Sequence, residues 1–193
     1  MTALPLDILL REIRQCELCL DLPLGPRPIV QAHQESKILI VGQAPGIRVH
    51  KSGKPFDDPS GVRLRQWLGM SELEFYDPTK LAIVPMGFCY PGTGKSGDLP
   101  PRPECAPAWR QRLLDELSKV ELTIVLGTYA REWHIESKHK RLSDLVADWK
   151  SFWPEVLPLP HPSPRNQRWF KQHAWFETDI LPVLRERVRT LID

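Results

Sequence analysis

The chain of 193 residues is long enough to bury a hydrophobic core and short enough to form one domain over residues 1–193. It is 41% apolar and 26% charged, and its net charge of +2 is too small to indicate nucleic-acid binding by itself. The N-terminus has no basic segment followed by a long apolar run, and no apolar stretch is long enough to span a membrane. We therefore expect a soluble, cytoplasmic globular protein that does not bind membranes.

The predicted elements alternate between helices and short apolar strands. In chain order they are helix 5–18, strand 38–41, helix 61–69, strand 81–84, helix 106–119, strand 122–126, helices 128–134 and 141–150, strand 155–160 and helix 176–191. Two prolines in the last strand predict that it lies at an edge of the sheet. Alternation of strands and helices indicates a parallel sheet with helices on both faces. We therefore predict a three-layer α/β/α fold with a central four-stranded parallel sheet.

The first predicted strand leads into a glycine- and proline-rich loop, residues 42–46. In open α/β folds, ligands bind beyond the carboxyl ends of the parallel strands. Phe56 and the paired acids Asp57 and Asp58 follow a few residues later, and we predict that Ser60 caps the next helix. We therefore expect a ligand site at this end of the sheet.

The cysteines fall into two distant pairs. They are Cys16 and Cys19, which form a C-x2-C motif, and the more widely spaced Cys89 and Cys105. Disulfides are uncommon in cytoplasmic proteins, and two pairs of thiolates suit a tetrahedral metal ion or an iron–sulfur cluster. Free cysteines are also often buried as small hydrophobic side chains. The spacing alone leaves both interpretations open.

Residues 89–96, CYPGTGKS, resemble a phosphate-binding P-loop, in which a helix follows the sequence G-x4-G-K-[ST]. Cys89 replaces the first glycine of that motif, and the next residues, GDLPP at 97–101, show no helical pattern. A phosphate cradle needs the N-terminus of a helix behind it. We therefore predict that this segment is not a nucleotide-binding loop.

His161 directly follows the predicted edge strand, at the same end of the sheet as the first glycine-rich loop. Residues 161–175 contain Arg165, Arg168 and Lys171 and no acidic residue, with aromatic side chains between the basic ones. Basic residues interleaved with aromatic ones are typical of surfaces that follow a nucleic-acid backbone and stack on its bases. The alternative is a loop whose aromatic side chains pack on the core.

Together these segments resemble the uracil-DNA glycosylase superfamily over nearly the whole chain. GQAPG at 42–46 is similar to the GEAPG motif of the iron–sulfur (family 4) branch, and GKPF at 53–56 to the G-x-P-F of that branch. The cysteines reproduce the spacing of the branch's cluster ligands. HPSPRN at 161–166 is similar to the second motif of the single-strand-selective branch. Because the separate matches occur in the expected order, they are more specific together than any one of them.

The resemblance implies an enzyme of base excision repair that flips a deaminated base, uracil or a related base such as hypoxanthine, and hydrolyses its N-glycosidic bond. It implies that Phe56 stacks on the flipped base and that His161 donates a hydrogen bond to an oxygen of the leaving base. Gln43 is implied to read a base edge and to assist catalysis. The implied base pocket consists of Gly42, Gln43, Ala44, Phe56, Pro85 and His161.

The resemblance also implies DNA as the partner, single- or double-stranded, and we expect a monomer. The loop after His161 is implied to enter the minor groove, with basic residues beyond it on phosphates. The implied DNA-binding residues are Pro162, Ser163, Pro164, Arg165, Asn166, Arg168 and Lys171. The implied cofactor is a 4Fe-4S cluster, or alternatively a structural zinc ion, held by Cys16, Cys19, Cys89 and Cys105.

The chain departs from the superfamily's patterns at positions that matter for catalysis. Pro85 stands where the iron–sulfur branch has the Asn that reads uracil, and Ala44 stands where the classical branch has its activating Asp. Activation of water is therefore predicted to fall to Asp57 or Asp58, and next to His50; the alternative role of the acids is to cap a helix. If no group activates water, the chain is a catalytically silent module of the same fold that binds nucleic acid or nucleobases.

Overall fold

The structure is a computed structural model that describes residues 6–95, 97–139 and 141–193. Its strands are β1 (Ile38–Val41), β2 (Leu81–Ile83), β3 (Thr93–Gly94), β4 (Gly97–Asp98), β5 (Leu122–Leu126) and β6 (Val156–Leu159). Strands β2, β1, β5 and β6 form one sheet in that order, and each neighbouring pair is parallel. This confirms the predicted four-stranded parallel sheet, with β6 at the predicted edge.

The helices cover both faces of this sheet. They are α1 (Leu6–Arg14), α2 (Ile47–Ser52), α3 (Pro59–Leu68), α4 (Glu72–Phe75), α5 (Cys105–Glu116), α6 (Gly127–His134), α7 (Leu142–Ala147), α8 (Gln167–Gln172) and α9 (Leu181–Ile192). Short 3₁₀ turns lie at Trp149–Ser151 and Pro164–Asn166, and a π-helical turn, Phe176–Ile180, leads into α9. Within the described residues, no helix is both long and apolar enough to cross a membrane.

Alternate residues of the buried strands face two separate hydrophobic cores. Ile38 and Ile40 of β1 pack in the core that contains residues of α3 and α9, whereas Leu39 and Val41 pack in the core that contains residues of α1 and α5. Because successive side chains of a strand point to opposite faces, one apolar run serves both cores. The arrangement confirms the predicted three-layer α/β/α fold.

The helix after Phe56 is capped by Asp58 and not by Ser60, so the cap predicted at Ser60 was wrong, and the alternative role of the acids, helix capping, is confirmed for Asp58. The Asp58 carboxylate accepts a hydrogen bond from the backbone N–H of Gly61 at 2.8 Å, and Pro59 occupies the first turn. Proline suits the first helical position because its missing N–H would be unpaired there in any case. Ser60 therefore lies inside α3.

The segments predicted as loops hold more structure than expected. Strands β3 and β4 form an antiparallel hairpin that pairs Thr93 with Asp98, where a P-loop would require a helix. The segment 161–175 contains a 3₁₀ turn and α8, and its Phe170 is buried in the core that includes α3 and α9. The alternative interpretation of its aromatic side chains, packing on the core, is confirmed for Phe170, and Trp169 packs against the same core.

Candidate active site

A cleft of about 420 Å³ opens beyond the carboxyl ends of the central strands. Its walls come from the loop 42–46 after β1, Pro85 after β2, and His161 after β6. Phe56 and the hairpin formed by β3 and β4 also border it. The fold thus brings the loop 42–46 and His161, more than a hundred residues apart in the sequence, to one cleft. This is the position where open α/β sheets bind ligands.

The loops after β1 and β2 are joined by backbone hydrogen bonds. The amide of Met86 donates to the carbonyl of Gly42, and the amide of Gly87 donates to the carbonyl of Gln43, each at 2.9 Å. The side-chain amide nitrogen of Gln43 donates to the carbonyl of Leu99 at 2.8 Å. This contact orients the Gln43 side chain, and its amide oxygen remains the group suited to accept a hydrogen bond from a ligand.

Phe56 faces the cleft in an unusual backbone conformation. Its φ of 53° lies in the left-handed region, which side chains other than glycine rarely adopt. The ring packs edge-on against Phe75, with centroids 6.3 Å apart, and a Cβ atom on Gly42 would lie 3.7 Å from its Cζ. Backbone strain of this kind persists only where the surroundings impose it, and it is concentrated at functional sites.

His161 is held as a neutral imidazole with a defined tautomer. The backbone N–H of Ser163 donates to Nδ1 of His161 at 3.2 Å, so Nδ1 is an acceptor and the ring proton lies on Nε2. Burial lowers the pKa of His161, and this outweighs the opposing effect of the Asp58 and Asp98 carboxylates. Asn166 donates from its side chain to the His161 carbonyl at 2.7 Å. His161 can therefore present an N–H donor to the cleft at neutral pH.

The loop after His161 is held in place by Arg63 of α3. The Arg63 guanidinium donates to the carbonyls of Pro162 at 3.3 Å and Ser163 at 3.2 Å, and to the Gln167 side chain at 3.0 Å. Its Cζ also lies 5.0 Å from the centroid of the Phe170 ring. Sequence reasoning missed Arg63 because a single arginine on a helix carries no local signal of such a contact.

The structure separates the residues that were predicted to activate water. Asp58 lines the cleft, with one oxygen engaged in capping α3. Asp57 is exposed and does not line the cleft; its charge acts on Lys54 and Tyr76 instead. His50 is buried behind the cleft and does not line it, and burial lowers its pKa. Of these three predicted residues, only Asp58 reaches the cleft.

The hairpin adds an acid that sequence reasoning missed. Asp98 of β4 lines the cleft, and its carboxylate acts on the pKa of His161. The Arg165 guanidinium lies so close to Gly97 that a Cβ atom on Gly97 would be 2.1 Å from Arg165 Nη1. The local signal was misleading, since the residues before Asp98 resemble a phosphate-binding loop and not an acidic site.

The predicted DNA-binding residues lie in the loop after β6 and on α8, and part of this set borders the cleft. Ser163, Arg165 and Asn166 line the cleft itself. Arg168 and Lys171 follow on α8 and are exposed. Of the two prolines in this loop, Pro162 is buried and Pro164 is exposed.

A buried arginine supports the Pro85 wall from inside the protein. Arg110 of α5 is fully buried, and its Nη1 donates to the carbonyls of Val84 and Pro85, each at 3.0 Å. Its Nε donates to Nε2 of His134 at 3.1 Å. Burial lowers the pKa of Arg110 to about 10, and burial together with the Arg110 charge lowers the pKa of His134 to about 3. His134 is therefore a neutral acceptor.

The cysteines meet at a second, small cavity on the far side of the Pro85 segment. Those that line it are Cys16, Cys19, Cys89 and Cys105. Two of their sulfur atoms accept hydrogen bonds: Trp109 Nε1 donates to Cys16 Sγ at 3.2 Å, and the amide of Phe88 donates to Cys105 Sγ at 3.4 Å. Such donors stabilise thiolates bound to iron.

Burial keeps the thiols of Cys89 and Cys105 protonated when no cation is near. It raises the pKa of Cys89 to about 11 and that of Cys105 to about 12. A bound metal centre would reverse this effect, because it ionises the thiols that ligate it. Among the residues that the structure describes, no three or more His, Cys, Asp or Glu side chains are grouped so that they could hold a metal ion.

The profile of the uracil DNA glycosylase superfamily matches residues 30–185. The chain belongs to the uracil DNA glycosylase superfamily. This confirms the family that the motifs suggested, and the matched span includes Cys89, Cys105 and every residue that lines the cleft except Ile29. The pair Cys16 and Cys19 lies before the matched span.

Among solved structures, this superfamily member is similar to a protein from Methanosarcina acetivorans, studied by solution NMR and described as a candidate uracil DNA glycosylase. The two chains are 17% identical, and the alignment covers 81% of this chain and 93% of that one, with a TM-score of 0.46.

Proposed function

We propose that this protein is a DNA glycosylase that takes a deaminated base, uracil or a related base, into the cleft and hydrolyses its N-glycosidic bond. The observation that carries the proposal is the presence, in one cleft, of Phe56 and of a neutral His161 with its proton on Nε2. An aromatic face and a fixed N–H donor suit a planar base that carries a carbonyl oxygen.

His161 would act on the leaving base. As the bond between C1′ and the base nitrogen breaks, the electron pair leaves with the base, and negative charge spreads to its oxygens. A donor already fixed at that position stabilises the charge without reorganisation, and loss of one such donor typically costs about 10²–10³-fold in rate. Because burial lowers the pKa of His161, this donor stays neutral at physiological pH.

The DNA would be held at the rim formed by the loop after His161 and by α8. Arg165 borders the cleft, whereas Arg168 and Lys171 are exposed next to it. Cations at such positions bind phosphates and orient the duplex without reading its sequence. The 3₁₀ turn at Pro164–Asn166 is tied to His161 through the Asn166 side chain, so DNA contact and base contact belong to one rigid loop.

The four cysteines that line the small cavity suit a 4Fe-4S cluster, with a structural zinc ion as the alternative. Cys16, Cys19, Cys89 and Cys105 would hold it. Zinc would draw all four thiolates to about 2.3 Å from one point. A cluster instead offers a separate iron atom to each thiolate. When bound, the cluster would link the segment after α1 to the segment between β2 and α5.

The test of the enzymatic proposal is release of free base from synthetic oligonucleotides. Substrates carry uracil, hypoxanthine or xanthine, each in single- and double-stranded form, and the free base is separated by chromatography. We expect release from at least one substrate. Folded, iron-loaded protein that releases none of them would overturn the proposal.

The second candidate function, a catalytically silent module that binds nucleic acid, is favoured by two apolar side chains in the cleft. Ala44 and Pro85 both line it, and neither offers a side-chain donor or acceptor. This function predicts oligonucleotide binding that weakens with salt and no release of base.

A further inference from the structure

Asp98 brings a carboxylate to the loop 42–46, which has no acidic residue of its own. The carboxylate oxygen Oδ2 of Asp98 would lie 3.2 Å from a Cβ atom on Gly46, so it packs directly against the loop 42–46. Ala44, in the same loop, carries no acid. The hairpin thus delivers a carboxylate, from a different element, to the edge of the loop in which the chain has none.

The hairpin that carries Asp98 is fixed on both of its sides. Gln43 of the first loop donates to the Leu99 carbonyl at 2.8 Å. On the other side, the Arg165 guanidinium lies over Gly97. Leu99 is hydrogen-bonded to the first loop, and Gly97 lies against Arg165 of the loop after β6, so both walls of the cleft constrain the position of the carboxylate.

Asp98 is better placed than Asp58 to accept a proton. One oxygen of Asp58 already accepts the Gly61 amide at the N-terminus of α3, where the helix dipole also favours the charged carboxylate. Among the described residues, the Oδ1 of Asp98 accepts one long hydrogen bond, 3.4 Å, from the Thr93 hydroxyl. Its Oδ2 is the oxygen that lies against the first loop.

The charge of Asp98 also points to a chemical role. A carboxylate in a cleft that receives DNA repels phosphates and weakens binding. We therefore expect its charge to serve a step other than binding. Asp98, Asp58 and His161 all line the cleft, so the two carboxylates and the imidazole border the same space.

We propose that Asp98 is the general base that accepts a proton from the attacking water; this rests on the proposed glycosylase function. The bond between C1′ and the base nitrogen breaks, and its electron pair leaves with the base. Water then forms a bond to C1′ and gives one proton to the Asp98 carboxylate, which later releases it to solvent. The base takes up a proton from solvent, so the sum is addition of one water across the glycosidic bond.

The experiment compares Asp98→Asn with the wild type in single-turnover base release at saturating enzyme, with oligonucleotide affinity measured in parallel. General bases contribute about 10²–10⁴-fold, so we expect the rate to fall by about 10²-fold or more while affinity is unchanged or improved. Asp115→Asn is the matched control, because Asp115 is exposed on α5 and does not line the cleft. Thermal unfolding checks that each variant is folded.

Two further variants separate proton transfer from a structural effect. Asp98→Glu keeps the carboxylate and is expected to recover part of the lost rate. Asp98→Ala is expected to regain activity in sodium formate but not in sodium chloride of equal ionic strength, because a small carboxylate can occupy the vacated space.

Different negative results overturn different claims. A wild-type protein that releases no base overturns the glycosylase function, and this inference with it. If the wild type is active but Asp98→Asn is equally fast, only the role of Asp98 is overturned. Equal losses in Asp98→Asn and Asp98→Glu, without rescue by formate, would also overturn it.

Discussion

A Cβ atom on Gly61 would lie 1.7 Å from the carbonyl oxygen of Phe56, so the first turn of α3 rests directly on the backbone of a residue that faces the cleft. Asp58 caps the same turn through the Gly61 amide. The left-handed conformation of Phe56 is therefore imposed by the start of a capped helix. Any side chain at Gly61 must displace Phe56, the helix, or both.

We predict that Gly61→Ala destabilises the protein and impairs the cleft. Overpacking of this kind costs about 1–3 kcal/mol, so the free energy of unfolding should fall by that amount in urea titrations. Base release should fall with it, because Phe56 moves. The control is Val62→Ala, since Val62 is exposed on the same helix turn. A Gly61→Ala protein with normal stability and activity would contradict this account.

The second prediction concerns His161. His161→Asn should slow base release by about 10²–10³-fold and leave oligonucleotide affinity nearly unchanged, because the imidazole stabilises charge that develops only as the bond breaks. His33→Asn, in a turn that does not line the cleft, is the control.

The pH dependence of the wild type follows from the same residue. Burial lowers the pKa of His161 below 6.5, so the neutral form persists as pH falls from 8 through 6.5. A loss of activity centred above pH 6.5 that is absent in His161→Asn would show that this donor is not neutral at physiological pH.

The third prediction links stability to pH through His134. Its pKa is about 3 in the folded protein and 6.5 when exposed, so between these values the unfolded chain binds a proton that the folded protein excludes. The free energy of unfolding should thus fall as pH is lowered from 6.5 towards 3, by at most about 1.4 kcal/mol per pH unit from this residue.

His134→Gln isolates that effect. The glutamine oxygen can accept from Arg110 but does not take up a proton in this range, so urea titrations at several pH values should give a flatter acid limb. His173→Gln is the control, since His173 stacks on Trp169 and has no contact with Arg110. An acid limb equally steep in His134→Gln and in the wild type would exclude His134 as its source.

The fourth prediction concerns the cysteine cavity. Protein purified without oxygen should contain iron and acid-labile sulfide, and Cys105→Ser should lose both together with part of its stability. Loss follows because Cys105 is buried and its sulfur accepts the Phe88 amide. Stoichiometric zinc without iron in the wild type would favour the alternative metal instead.

The fifth prediction addresses DNA. Arg168→Ala and Lys171→Ala should each lower the slope of log affinity against log salt by about one and weaken binding equally for all sequences. Single-turnover base release at saturating enzyme should not change. Arg14→Ala, on α1 and outside the cleft, is the control. A change in base preference in either variant would mean that the side chain reads the base and not the phosphate.

The sheet, its edge strand and a cleft at the carboxyl ends of the strands could be predicted because each rests on a local pattern. Apolar runs of a few residues, such as 122–126, can only be buried, and the glycine-rich loop marks where one such strand ends. The helix cap was harder, since Asp58 and Ser60 are both good caps. Pro59 decides between them, because proline is preferred in the first turn and seldom beyond it.

The roles of Arg63, Arg110 and Asp98 could not be predicted in the same way. Each acts through residues far away in sequence: Arg63 on the loop after β6, and Arg110 on the loop after β2. No periodicity or spacing near these residues records such contacts. Asp98 reaches the cleft because β3 and β4 pair antiparallel, Thr93 with Asp98 and Gly94 with Gly97.

The segment 84–89 borders the base cleft at Pro85 and the cysteine cavity at Cys89. Hydrogen bonds hold the backbone of the residues between them. The amides of Met86 and Gly87 donate to the loop after β1, and the amide of Phe88 donates to the sulfur of Cys105. The segment therefore fixes the distance between the two sites. Substitutions at Pro85 can alter the base pocket freely, but one inserted or deleted residue must disturb both sites at once.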